Sequence, residues 1–123
     1  MGFFKSLMSV ISTDGKTGTP FKMDKNHTVY YKGNGVTELD AAHVAGFFKG
    51  YGYFIETSES DIQIASESAS APVRVGIIIG SNSVSEETED YFRGAGPGLQ
   101  EHFTGRVISV QLIDPNFKVL KTL

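Results

Sequence analysis

Three histidines, four clustered acids and one glycine-serine turn are the groups best suited to chemistry in this chain. His27, His43 and His102 lie far apart in sequence, and no pair has the His-x-x-x-His spacing that puts two imidazoles on one helical face. A zinc site would need the fold to assemble all three. His43 reads as a hydrogen-bonded residue at the edge of a helix, and His102 as a favourable charge near a helix C-terminus. Glu86, Glu87, Glu89 and Asp90 could bind a hard cation or act as acids and bases, but EF-hand spacing is absent. Acids at a helix start are accounted for by the positive end of its dipole. Gly80-Ser81-Asn82-Ser83, between a strand and a helix, could cradle a phosphate. It matches neither phosphate-loop glycine pattern, and the four nearby acids would repel an anion. The sequence therefore assigns no catalytic residue, no metal ligand and no cofactor.

The elements that would position such groups are legible around Val36 to Phe54. Thr37 and Asp40 have the spacing of a capping box with Asp in the acidic position. Ala41, Val44, Phe48 and Tyr51 recur at helical spacing, with Ala45 and Phe47 at the edges. Gly50 and Gly52 supply the stop, and Tyr53 to Ile55 favour extended chain. Before this helix, His27 to Lys32 reads as a strand and Gly33-Asn34-Gly35 as a turn. After it, Ile62 and Ile64 alternate with polar residues. A Ser/Ala-rich loop follows, then the alternating run Val73, Val75, Ile77, Ile79, expected to be the central strand.

A second helix is expected from Ser83 or Ser85, broken at Gly94 to Gly98 with Pro97 near the start of its second piece. Arg106 to Ile113 reads as a strand, Asp114-Pro115-Asn116 as a β-turn and Phe117 to Leu123 as a returning strand. The order is β-α-β-β-α-β-β. The economical reading is an α+β, ferredoxin-like split βαβ domain: an antiparallel sheet, two helices on one face and a C-terminal hairpin.

At 123 residues and 40% hydrophobic content, the chain is long enough and apolar enough for one packed domain. It has no cysteine, which removes disulfides and thiolate chemistry. The net charge of −3 argues against nucleic acid as a partner. That charge is uneven: residues 1–35 carry five Lys and two Asp, whereas residues 36–123 carry twelve acids against six Lys or Arg. Residues 1–26 are accordingly read as a basic arm, with a linker over 13–26, and residues 27–123 as the domain.

Within the arm, Phe3, Phe4, Leu7, Val10 and Ile11 fall near one face of a short amphipathic helix over residues 2–12. So short a helix needs a surface, whether its own domain, a second subunit or a membrane interface. Met1 to Ser6 also fits the pattern for myristoylation at Gly2. No stretch reaches the ~18–20 apolar residues of a membrane span, and the start lacks a basic region and cleavage site for secretion. A cytoplasmic location, with peripheral membrane contact through residues 2–12 as the alternative, is the expectation.

The segments Tyr30-Tyr31, Val36 to Ala41, Gly52-Tyr53-Phe54, Ile62-Gln63-Ile64 and Val110 to Asp114 together resemble small uncharacterised bacterial α+β domains, sometimes joined to membrane-protein segments. The resemblance covers about residues 28–123, departs at the Gly94 to Gly98 break, and implies no known activity. The functional expectation is a non-catalytic protein-interaction or accessory domain with a protein partner or a second copy. Phe3, Phe4, Leu7, Tyr30 and Tyr53 are its candidate contact residues. The alternatives are a membrane-associated module and a small-ligand site near Gly80 to Ser83. A deep pocket gathering His43, His102 and two carboxylates would argue against the non-catalytic reading.

Overall fold

The computed structural model describes residues 18–56, 59–80 and 84–123. The helix expected after Val36 is present as α1 (Glu38–Tyr51). Both halves of its capping box form: the Thr37 side chain accepts from the Asp40 N–H, and Asp40 accepts from the Thr37 N–H. The helix stops at Gly52, whose φ of 96° is the left-handed conformation that glycine adopts without a Cβ clash. Ala41, Val44, Ala45 and Phe48 are buried on its inner face.

Six strands surround this helix in sequence: β1 (Thr19–Asp24), β2 (His27–Lys32), β3 (Ser60–Ala65), β4 (Val73–Ile78), β5 (Ile108–Ile113) and β6 (Val119–Thr122). They form one sheet in the order β1-β2-β3-β4-β5-β6. The α+β class and the two hairpins, β3–β4 and β5–β6, agree with the sequence reading. The split, ferredoxin-like antiparallel arrangement does not. In a split unit another strand separates the two that flank a crossover helix, whereas β2 and β3 are parallel neighbours, as are β4 and β5. The sheet is therefore mixed. Thr19–Asp24, expected within the linker, pairs antiparallel with β2 and forms one edge. Pro20 suits that place, because an edge strand tolerates a missing donor. The amphipathic helix expected over 2–12 lies outside the described residues.

Between β4 and β5 the second helix is broken as expected, into α2 (Glu86–Arg93) and α3 (Gly96–His102), with Pro97 in the first turn of α3. Both pieces share the sheet face that α1 covers. Tyr51 and Tyr91 exchange hydrogen bonds, His43 stacks on His102, and Phe92, Leu99 and Phe103 join the core of Val44 and Phe48. The two parallel units run in opposite directions, since β3 and β4 are antiparallel. With helices on one face, the two crossovers must then have opposite hand, so one departs from the right-handed rule.

Strand alternation sorts the side chains. Val29, Ile62, Ile77 and Leu112 align in one row, and Tyr31, Ile64, Val75 and Val110 in another, all toward the helices. The strand expected to be central, β4, is flanked on both sides, and Val73, Val75 and Ile77 are fully buried. The residues between them point to the opposite face, which is free of helices among the described residues.

Candidate functional site

The helix-free face is roofed at one end by the β5–β6 turn. The ring of Phe117 meets Tyr30 edge-on, with centroids 6.0 Å apart. Phe117 holds this position with φ of 66°, a left-handed conformation that is costly for a residue with a Cβ. Asp114 steadies the turn by accepting from the Asn116 and Lys118 N–H groups through Oδ1. Ile113 lies over Gly76, where an added Cβ would stand 2.9 Å from the Ile113 Cδ1. This cover explains why Gln63 and Gly76 are buried on a face that no helix among the described residues protects.

The other end of that face stays open and forms a cleft of about 420 Å3. It is lined by Lys32, Gly33, Ala65, Ser66, Glu67, Ala71, Pro72 and Arg74. Lys32, Ala65 and Arg74 are paired across β2, β3 and β4, so they stand in one row on one face. The cleft lies at the carboxyl ends of the parallel strands β2 and β3, where the chain leaves for α1 on one side and for β4 on the other. That is the general position of ligand crevices in sheets with parallel strands.

The cleft wall is braced by Arg106. Its guanidinium donates to the carbonyls of Gly35 (2.8 Å), Ser68 (2.7 Å) and Ala71 (2.8 Å), and to Ser66 Oγ (2.6 Å). Gly33 and Gly35 let the two loops close: a Cβ at either would fall 2.1 or 2.2 Å from the carbonyl oxygen of Ser66 or Ser68. One arginine thus fixes the 33–35 and 66–71 loops against each other, leaving Lys32 and Arg74 as the cations facing the cleft.

Of the candidate contact residues, Tyr30 lies on the helix-free face, half-buried under Phe117. Burial, assisted by the nearby Asp61 carboxylate, raises the pKa of its phenol. Tyr53 lies instead in the helix-side core, edge-on to Phe92, donating to the Ile78 carbonyl at 3.1 Å. Burial pushes its phenol up to about 12. Its placement is that of a packing residue. Phe3, Phe4 and Leu7 lie outside the described residues, as do Ser81 to Ser83 of the glycine-serine turn.

The histidines separate into two roles. His27 is buried, stacked on Phe54, with Nδ1 2.9 Å from Asp24 and Nε2 2.8 Å from the Ile55 carbonyl. Its bond to Asp24 is the main reason that carboxyl is held below its usual range. His43 and His102 do come together, their rings stacked at 3.9 Å in a shallow cleft with Phe47, Gly98 and Glu101. His102 Nε2 lies 2.8 Å from Asp40 Oδ1. This gathers two histidines and two carboxylates, yet the geometry is structural. His102 Nε2 is taken up by Asp40. Asp40 Oδ2 is already occupied by the Thr37 cap. Among the described residues, no group of three His, Cys, Asp or Glu is placed to hold a metal. Two of the four acids of α2 are likewise engaged: Glu89 and Asp90 pair with Arg93, and Glu89 also with Lys121.

A family model matches residues 21–123, from within β1 through the end of β6. The chain belongs to the AF_1994_N family, a family N-terminal domain. All of β2 to β6 and most of β1 fall inside the match, so the edge strand is part of the family's unit. No curated protein and no solved structure matches the chain. No helix among the described residues is long and apolar enough to cross a membrane.

The cleft cations escaped the sequence reading because Lys32 and Arg74 are 42 positions apart. A signal existed in that each sits at the end of an alternating strand, but only strand order and register show that they share a row.

Proposed function

We propose that this domain is a non-catalytic recognition module whose partner, a protein or a second copy of the chain, docks on the helix-free face of the sheet. The observation supporting this reading is the asymmetry of cover. Among the described residues, three helices protect one face, while the other presents Tyr30, Arg74, Ser109 and Gln111 around the partial roof of Phe117. The sharply placed polar groups elsewhere have structural partners. Asp40 and His102 tie α1 to α3, and Arg106 closes two loops, so no nucleophile with an adjacent base emerges from them.

Site-specific photocrosslinking in cells tests this. A benzophenone amino acid at Ser109 or Gln111 is expected to capture one discrete partner, identified by mass, and the same probe at Lys49 on α1 none. Capture from Lys49 alone would move the interface to the helices and overturn the reading.

A further inference from the structure

We propose that the cleft between the β2–α1 and β3–β4 loops is a binding site for a small dianion, a dicarboxylate or a phosphate monoester. Lys32 and Arg74 are its anchoring cations. This site shares Arg74 and the open end of the face with the protein-docking reading, but it rests on different observations and stands if that reading fails.

Register brings the two cations into one row. Lys32 pairs with Ala65, and Ala65 with Arg74, so one small side chain separates the two cations. Adjacent strands are about 4.8 Å apart, which puts the two Cα atoms roughly 10 Å from each other. Side chains of that length, rising from one row, can converge on a single anionic group or grip the two ends of a short diacid. Ala65 leaves the floor between them low. Arginine suits such a group because its planar fork donates to two oxygens at once, and lysine adds a mobile point charge.

The second observation is that these cations are uncommitted. Among the described residues, neither side chain has an ion pair or hydrogen-bond partner, whereas Arg93 and Lys121 pair with acids and Arg106 is saturated by loop acceptors. Two like charges beside one cleft stand out locally in a chain whose net charge is −3. Glu67 is the one carboxylate lining the cleft, and it is exposed on the loop. It discourages diffuse anion binding and favours a ligand that reaches both cations.

The third is preorganisation and size. Arg106 and the glycine contacts fix the walls before any ligand arrives, which reduces the ordering cost of binding. A cleft of about 420 Å3 falls in the range occupied by small molecules rather than by a protein segment.

The test is an amide NMR titration of the purified chain with inorganic phosphate, succinate and a hexaglutamate peptide, against sodium chloride at matched ionic strength. Phosphate or succinate is expected to give saturable shifts confined to residues 32–33, 65–72 and 74. Lys32→Ala and Arg74→Ala should each weaken binding about tenfold, Arg74→Lys less, and Lys49→Ala not at all. Arg74→Gln serves as the second variant should Arg74→Ala unfold, and an unchanged spectrum away from the cleft confirms the fold. Three results would overturn the proposal: shifts no larger than those with sodium chloride, equal loss in Lys49→Ala, or binding by hexaglutamate alone.

Discussion

Tyr51 and Tyr91, forty residues apart, each donate a hydroxyl hydrogen bond to the other's backbone carbonyl. The pair joins the C-terminal end of α1 to α2, and it satisfies a carbonyl that the end of a helix otherwise leaves without a partner. At the opposite end of α1, the Asp40–His102 contact and the His43–His102 stack join it to α3. The helical layer is thus fastened at both ends.

The reciprocal tyrosine pair should behave as a unit. Tyr51→Phe and Tyr91→Phe are each expected to lower stability by about 1 kcal/mol. The double variant should lose less than the two single losses together, because neighbouring groups share the interaction. Urea denaturation of the four proteins measures the coupling, and simple additivity would mean that the two bonds act separately.

Asp40 should make the acid limb of stability steeper. Burial raises its pKa, but bonds from His102 and from the Thr37 amide and hydroxyl outweigh this and leave it lowered. A carboxyl with a lowered folded pKa stabilises above its unfolded value, and that contribution is lost as pH falls through the folded value. Asp40→Asn is therefore expected to cost about 1 kcal/mol near neutrality. That difference should shrink when the pH drops below about 4. Urea midpoints of both proteins at about pH 6 and about pH 3 supply the comparison. Asp24, also lowered through its bond to His27, acts in the same direction and calls for a parallel Asp24→Asn control.

Replacing Arg106 should release two loops at once. Arg106→Met keeps the stem but leaves the carbonyls of Gly35, Ser68 and Ala71 without their charged donor. A loss of about 2–3 kcal/mol or more is expected, with faster amide exchange at 35 and 66–71 than elsewhere. Unchanged exchange in those loops would show that other contacts hold them.

Two helical glycines should respond oppositely to alanine. At Gly46, on the exposed side of α1, an added Cβ meets nothing within 4 Å. Gly46→Ala is expected to stabilise by about 1 kcal/mol through helix propensity. At Gly98 in α3, the Cβ would fall 2.3 Å from the Phe47 ring. Gly98→Ala should destabilise by roughly 1–3 kcal/mol through overpacking. Thermal unfolding of both variants gives the two signs.

Local features were legible in the residues. The Thr37–Asp40 capping box and the stop at Gly52 depend on groups a few positions apart, so type and spacing suffice to specify them. The Pro97 restart and the Asp114 turn belong to the same class. β1 was hidden because Pro20 and the flanking glycines read as a loop, and a strand at the edge of a sheet needs only one partner to form.

The sequence by itself determined the described elements other than β1, the two hairpins and the apolar faces that form one core, since these follow from short-range periodicity and turn chemistry. Only the tertiary structure decided that β2 and β3 are parallel neighbours and that Lys32 and Arg74 stand in one row. Strand order and register come from long-range pairing, in which residues many positions apart become neighbours about 4.8 Å away. A local pattern of alternating side chains is compatible with many such pairings. The cleft and its two cations exist only once one pairing has been selected.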